Sequence, residues 1–328
     1  MARDPAISDI FYYFEQFSSL QTGRTIGRKI GVMQEVMLRK YLMQSPAVAE
    51  RILLEHSVEG LSGATHKLEF LVCNLSDRLV MPINQPIQYG GIELQMVSGK
   101  NDSAKIVARW LDEDNPVRLV SEIKKGATFN SKPLLLRLRR EGLVARLIEV
   151  SSDYAELALL EPAVPLATIE SKRVGAQRFS SSDKLGAGIQ TIEKAKQAAL
   201  VAIDADLRFN GTVKPQAVPQ QLRRYLSIVV LGNGVHWERK SRRVLLTYVD
   251  HVYLVPDTSI IRYCDYVRNL SQQKGEDFLQ FYMDYFSGMT TMKNDNFQVD
   301  DDDFVALEGD SVSLLTVVEQ HITNINPI

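Results

Sequence analysis

Two segments of the sequence place a glutamate two residues before a lysine, Glu170-x-Lys172 and Glu122-x-Lys124. Side chains two apart on a β-strand point to the same face of the sheet. A carboxylate on that face can hold Mg²⁺, while a neighbouring ammonium group orients a water molecule and stabilises negative charge that develops on a phosphate. The spacing is compatible with hydrolysis of a phosphate ester, and it is also typical of an ion pair on the exposed surface of a strand.

A second acidic ligand is needed to share such a metal ion, and Asp153 lies 17 residues before Glu170. Asp153 begins a segment typical of a strand, and Glu161-Pro162 predicts a turn after it. This turn would pair the strand of Asp153 antiparallel with the strand of Glu170 and bring the two carboxylates together. We therefore predict a catalytic site of Asp153, Glu170 and Lys172, in which Asp153 and Glu170 bind the metal.

These side chains need a sheet to position them, and the apolar pattern predicts one. Apolar residues recur at helical spacing over residues 24–56 and again over Gly186–Leu207, which predicts two amphipathic helices. Segments bounded by turn residues predict strands at His66–Asn74, Ile92–Val97, Lys105–Leu111, Arg118–Lys124, Val144–Val150, Ala155–Leu160, Ala167–Arg173, Leu226–Leu231 and Val244–Val255. This order of elements predicts a mixed sheet with a helical crossover, in the α/β or α+β class.

With Asp153, the Glu170-x-Lys172 strand, a long helix and an apolar strand in this order, residues 142–232 resemble the PD-(D/E)xK nuclease superfamily, most familiarly the type II restriction endonucleases. Asp153 stands at the first acidic position, Glu170 at the second and Lys172 at the lysine. Gly186–Leu207 would be the crossover helix. One departure is that Asp153 follows two serines rather than a proline.

The resemblance implies a restriction-endonuclease-like core, a mixed β-sheet flanked by helices, with helical additions at both ends. It implies a Mg²⁺-dependent, sequence-specific endonuclease of a restriction system that cuts double-stranded DNA as a homodimer and leaves 5′-phosphates. We expect one compact unit with a helical region over 1–65, a nuclease core with DNA-binding insertions over 66–255 and a helix-rich region over 256–328.

Other acidic residues offer alternatives to this site. Asp102 precedes Glu122 and Lys124 in a similar strand and turn arrangement, but no long helix follows it. Glu35 lies on the first predicted helix, from which it could reach the site. Glu69 is a further acidic residue on a predicted strand, for which a structural role is the simpler interpretation.

The distribution of charge favours a nucleic-acid partner although the net charge is only −2. Residues 118–146 contain eight Lys or Arg and two Glu, and residues 222–243 contain six Lys or Arg and one Glu. Such basic stretches suit contacts with phosphates, whereas residues 294–310 contain seven acidic residues and no basic ones. The predicted DNA contacts are Arg173, Gln177, Arg178, Arg239, Lys240, Arg242 and Arg243.

Several classes of protein are excluded by the sequence pattern. No Gly-x-x-x-x-Gly-Lys-Ser/Thr loop is present, so we expect no nucleotide cofactor. No apolar run is long enough to cross a membrane, and we expect a cytoplasmic bacterial or archaeal protein in which Cys73 and Cys264 are buried free thiols. Two other functions stay open: a non-catalytic DNA-binding or scaffold protein, and a repair nuclease that recognises DNA structure.

Overall fold

The structure is a computed structural model, and it describes residues 23–57, 67–89, 91–98, 103–111, 117–124, 144–151, 153–172, 226–232, 249–277, 280–281, 285, 296–307 and 312–325. The strands are β1 (Ile52–Ser57), β2 (Lys67–Pro82), β3 (Ile87–Tyr89), β4 (Ile92–Ser98), β5 (Ser103–Trp110), β6 (Arg118–Lys124), β7 (Val144–Val150), β8 (Tyr154–Lys172), β9 (Leu226–Gly232), β10 (His251–Val255) and β11 (Val305–Ala306). The helices are α1 (Gly23–Leu42), α2 (Pro46–Ala49), α3 (Asp257–Lys274) and α4 (Leu314–Ile325), with a 3₁₀ turn at Asp301–Asp303.

The described strands form two sheets. The larger sheet has seven strands in the order β1-β2-β8-β9-β10-β11, with β7 also paired to β8. Its β8–β9 and β9–β10 pairs are parallel, and its other pairs are antiparallel. The smaller sheet is an antiparallel arrangement of β3-β4-β5-β6. The predicted mixed sheet of the α+β class is therefore confirmed, as is the parallel strand at Leu226–Gly232.

The two longest strands, β2 and β8, form an antiparallel ribbon that connects both sheets. At one end of the ribbon, β1 pairs with β2 and β9 pairs with β8. At the other end, β7 pairs with β8, and apolar side chains of the ribbon pack against β4 and β5. The smaller sheet and β7 therefore belong to a long insertion, over residues 83–151, between the two ribbon strands.

The predicted hairpin at Glu161-Pro162 is wrong, because residues 154–172 form one continuous strand. Its pairing with β2 shifts in register where Cys73 opposes Pro165 and Asn74 opposes Glu161. Prolines lack the N–H that a regular ladder requires, so an irregularity in the strand accommodates them without a reversal of direction. What the sequence predicted as a turn is a bulge.

The first predicted helix is confirmed only in part. α1 ends at Leu42, and Ser45 caps the short helix α2, whose first residue is Pro46. β1 consists of residues 52–57, which pair with β2, although residues 52–56 lie within the predicted helix. Pro46 is compatible with the first position of a new helix but not with the interior of α1, so the expected helical region over 1–65 contains an edge strand of the large sheet.

The main hydrophobic core lies between the large sheet and its helices. α1, α3 and α4 bury apolar side chains against one face of β1, β2, β8 and β9, with Met33, Phe70, Ile169 and Val267 at most 1% exposed. A separate core joins the smaller sheet to the far end of the ribbon. Cys73 and Cys264 are buried free thiols, as predicted. None of the helices in the described ranges is long and apolar enough to cross a membrane.

Candidate functional site

The structure does not bring Asp153 and Glu170 together. Asp153 precedes the first residue of β8 and is exposed, whereas Glu170 lies near the last residue of the same strand and is only 7% exposed. The paired length of β2 from Phe70 to Pro82 separates them by about 40 Å at a rise of about 3.3 Å per residue. The prediction that Asp153 shares a metal ion with Glu170 is therefore wrong, because it depended on the hairpin.

Glu170 and Lys172 both lie at the end of β8, two residues apart on the strand. Their direct neighbours on the parallel strand β9 are Val229 and Leu231. The face of Glu170 is opposite to the one that α1 covers, since Ile169 packs in the helical core. Glu170 is thus a carboxylate buried on the sheet face away from the helices.

The acid that meets Glu170 is Glu69 on β2. The ladder between β2 and β8 ends at the pair Phe70 and Ile169, and the next residues in register are Glu69 and Glu170. Beyond this point β2 stays paired with β1 as far as Lys67, and β8 stays paired with β9 as far as Lys172. The two strands therefore separate at the two glutamates, and we call this place the strand fork.

The glutamate side chains bind backbone groups at the strand fork. The N–H of Ser171 donates to Glu69 Oε2 at 2.5 Å, and the N–H of Glu69 donates to Glu170 Oε2 at 3.4 Å. Hydrogen bonds of this kind satisfy N–H groups where a ladder ends and hold a carboxylate in place. The fork therefore fixes two carboxylates from strands that are 101 residues apart in sequence.

The sequence contained one signal for Glu69 that the prediction did not use. The predicted strand His66–Asn74 includes Glu69. Its neighbour β1 was not predicted, because the sequence pattern indicates a helix over most of those residues. With β1 included, the large sheet has the neighbouring strands β1, β2 and the Glu-x-Lys strand β8, and helix α1 precedes all three in the chain. Glu55 occupies the register position on β1 beside Glu69, between the paired residues Leu54 and His56.

Helix α1 also reaches the end of β8. Gln34 is 1% exposed, and its Nε2 donates to Ser171 Oγ at 3.0 Å and to the Val230 carbonyl at 3.1 Å. Glu35, the acidic residue that the sequence placed on this helix, is partly exposed and adjacent to Gln34. The buried contact with the Glu-x-Lys strand is thus made by the glutamine.

Of the alternative set of Asp102, Glu122 and Lys124, the two residues of the Glu-x-Lys motif lie on β6 of the smaller sheet. β5 and β6 pair antiparallel as predicted, with Lys105 opposite Glu122 and Ser103 opposite Lys124. β6 is an edge strand in the described topology and has no parallel neighbour there. Asp102 lies outside the described residues. The arrangement of a Glu-x-Lys strand between an antiparallel and a parallel neighbour is found at β8.

Two buried guanidinium groups lie near the junction of α1, β1 and β7. Arg39 is 2% exposed and Arg146 is 5% exposed, and Arg146 donates to the Ile52 carbonyl at 2.6 Å. Burial lowers the pKa of Arg39 to about 10. Burial, and secondarily the charge of Arg39, lowers the pKa of Arg146 to about 10. Both groups therefore remain cationic at neutral pH.

The donor set of the strand fork fits a hard divalent cation. Mg²⁺ is commonly bound through one or two carboxylates, with water and substrate phosphate completing its six ligands. Glu69 and Glu170 supply two carboxylates on adjacent strands. Within the described ranges, no group of three or more His, Cys, Asp or Glu side chains is arranged to hold a metal ion. The fork thus offers a partial set of ligands that substrate and water would complete.

The predicted DNA contacts cannot be placed in the fold. Arg173, Gln177, Arg178, Arg239, Lys240, Arg242 and Arg243 lie outside the described residues, as does the predicted crossover helix Gly186–Leu207. In comparisons with known proteins, no protein-family model matches this chain, and no curated protein or solved structure matches it.

Proposed function

We propose that this protein is a Mg²⁺-dependent endonuclease that cuts double-stranded DNA. The observation that carries the proposal is the strand fork, where Glu69 and Glu170 lie side by side with Lys172 two residues further along β8. A helix, two antiparallel strands and a Glu-x-Lys strand with a parallel neighbour support the resemblance to the PD-(D/E)xK nucleases. In this proposal Glu69 takes the place of Asp153 as the second metal ligand.

In this proposal Glu69 and Glu170 would hold Mg²⁺ against the scissile phosphate. The bound ion would polarise the phosphoryl oxygen and lower the pKa of a coordinated water. Lys172 would orient the attacking water and stabilise the charge that develops on the phosphate. In-line attack of the water oxygen on phosphorus would break the bond to the 3′-oxygen, which takes a proton, and would leave a 5′-phosphate.

The finer assignment is a site-specific enzyme of a restriction system that acts as a symmetric dimer. A two-fold axis in the protein matches the symmetry of a palindromic site, and each protomer would then cut one strand. The basic stretches over residues 118–146 and 222–243 would bind the DNA backbone. The faces of α1 and α3 that do not contact the core are the expected places for the dimer contact.

A digest of a long, varied linear DNA with the purified protein tests this proposal. Discrete fragments that require Mg²⁺ and carry 5′-phosphates are expected. Intact DNA that nevertheless binds the protein would favour a non-catalytic DNA-binding or scaffold protein. Cleavage confined to branched or damaged DNA would favour a repair nuclease.

Site variants test the assignment of the metal ligands. Glu170→Gln and Glu69→Gln should each reduce cleavage by about 10³-fold or more, since each removes a carboxylate that holds the metal. Asp153→Asn is the matched control, because Asp153 is exposed at the other end of β8. Cleavage at the wild-type rate by Glu69→Gln would overturn the assignment of the site to the strand fork.

A further inference from the structure

Gln34 connects helix α1 to the two strands that follow the strand fork. Its side chain is 1% exposed, and one amide nitrogen donates both to Ser171 Oγ at 3.0 Å and to the Val230 carbonyl at 3.1 Å. Ser171 and Val230 are direct neighbours on the parallel strands β8 and β9. A single buried amide therefore contacts both strands at the same level of the sheet.

The strand that Gln34 holds carries the candidate active residues. Ser171 lies between Glu170 and Lys172, so its Cα position and side-chain direction determine where those two residues point. Beyond the strand fork, among the strands that the structure describes, β8 is paired with β9 and no longer with β2. Its Ser171 N–H instead donates to Glu69. The hydroxyl and the N–H of Ser171 thus connect it to α1 on one side and to Glu69 on the other.

We infer that Gln34 is a positioning residue for the proposed nuclease site, acting on Glu170 and Lys172 through Ser171. The inference rests on the proposed function. Gln34 reaches Ser171 from the helical side of the sheet, whereas Glu170 faces the opposite side. Gln34 has no contact with substrate in this arrangement, and its effect is to fix the last residues of β8. A displacement of about 1 Å in such a site can lower a rate by about 10²-fold.

Gln34→Met tests this inference, because methionine has a similar length and fills the same buried space without donating hydrogen bonds. We expect the turnover number for DNA cleavage to fall about 10-fold to 100-fold. The affinity for DNA, measured without Mg²⁺, should stay within about twofold of wild type. The Mg²⁺ concentration that gives half-maximal cleavage should rise, because Glu170 would no longer be held in place.

Ile260→Val on α3 is the matched control for stability, since Ile260 is 2% exposed in the same core and lies on a different helix from Gln34. A purely structural role for Gln34 predicts that both variants lose activity only in proportion to the fraction of unfolded protein. An unchanged turnover number and Mg²⁺ requirement in folded Gln34→Met would overturn the inference.

Ser171→Ala gives a second, independent variant, which removes one acceptor of Gln34 and keeps the strand sequence on either side. Its effect on turnover should be smaller than that of Gln34→Met, because the hydrogen bond to Val230 remains. Combining the two substitutions should reduce turnover by less than the product of the two separate effects, as expected for residues in one network. Fully multiplicative effects would show that Gln34 does not act through Ser171.

The outcome for this inference can be distinguished from the outcome for the nuclease proposal. If Glu170→Gln cuts DNA at the wild-type rate, the nuclease site itself is wrong. If Glu170→Gln is inactive and Gln34→Met is fully active, only the positioning role fails.

Thermal stabilisation by Mg²⁺ tests the positioning role without cleavage. The Mg²⁺ concentration that gives half of the maximal increase in melting temperature should be higher for Gln34→Met than for wild type. An unchanged Mg²⁺ requirement there would also overturn the positioning role.

Discussion

Glu69 and Glu170 face each other across neighbouring strands, which is an unfavourable arrangement for two carboxylates. Like charges opposite each other destabilise a sheet. The hydrogen bonds from Ser171 and Glu69 N–H groups offset part of this cost at the strand fork. A divalent cation bound between the carboxylates would remove the repulsion. In the proposed function, this pair would serve as a metal-ligand site.

Mg²⁺ should stabilise the folded protein through these two residues. A ligand present at about 100 times its dissociation constant adds about 2.7 kcal/mol to the free energy of unfolding. Melting temperatures measured with EDTA and with excess Mg²⁺ should therefore differ by several degrees for wild type and by far less for Glu69→Gln. Glu93→Gln is the control, since Glu93 pairs with Arg109 on the smaller sheet. An equal shift in the Glu69 variant would place the metal elsewhere.

The sequence could indicate Glu170 and Lys172 because their relation is local. Two residues apart on a strand share a face whatever the rest of the fold does. Glu69 could not be chosen in the same way, because its position beside Glu170 depends on which strands pair. The sequence favours Asp153 because Glu161-Pro162 predicts a hairpin that would connect it to Glu170. That hairpin is wrong, because strand pairing depends on residues far away in the sequence.

At the scale of elements, the segment with Pro162 and Pro165 shows how tertiary pairing can override a turn signal. Proline disfavours a regular strand because it cannot donate to the ladder. β2 is nevertheless paired with β8 on both sides of this segment, from Phe70 to Pro82. The many hydrogen bonds on either side favour one strand with an irregular centre. A sequence pattern does not reveal this extended partner.

The acidic run near the C-terminal end has a structural role that its charge did not indicate. Asp300 and Asp303 form a capping box around the 3₁₀ turn. Asp303 is 3% exposed and accepts from Arg262 of α3 at 2.5 Å, and Tyr41 of α1 donates to Asp301. Burial and the hydrogen bond to Asp301 raise the pKa of Tyr41. The turn thus holds two core helices together.

Asp303→Ala should therefore lower the free energy of unfolding by about 1–2 kcal/mol, because it removes the N3 carboxylate of the capping box and the buried acceptor of the ion pair with Arg262. Asp302→Ala should change it by less than about 0.5 kcal/mol, since Asp302 is exposed. Urea denaturation of both variants makes the comparison. Equal midpoints for the two would show that the acidic run acts only through its total charge.

At the scale of the whole molecule, the ribbon of β2 and β8 separates the candidate site from the insertion. The strand fork lies at the end that carries β1, β9 and the helices, and the smaller sheet packs on the other end. Glu69 and Glu170 precede and follow the whole insertion in sequence. The insertion can therefore vary in length without moving the two carboxylates, since both are fixed by the sheet.

DNA binding should depend steeply on salt although the net charge of the chain is −2. About six phosphate contacts give a slope near −5 in a plot of log K against log salt, and an affinity loss of about 10³-fold between 50 and 200 mM. Measuring this with Glu170→Gln avoids cleavage. Replacing Arg239 and Lys240 by alanine should reduce the slope by about two. A slope near zero would show that the basic stretches do not bind phosphates.

The sequence by itself determined the α+β class, most strand positions, the buried free cysteines and the two-residue spacing of Glu170 and Lys172 on one strand. These features depend on amino-acid composition and on the spacing of apolar and polar residues within short segments. Only the tertiary structure decided that residues 52–57 form a strand, that residues 154–172 are one strand and that Glu69 lies beside Glu170. The physical reason is that strand pairing is a contact between distant segments, so the sheet, and not the neighbouring sequence, determines which acidic residue lies beside Glu170.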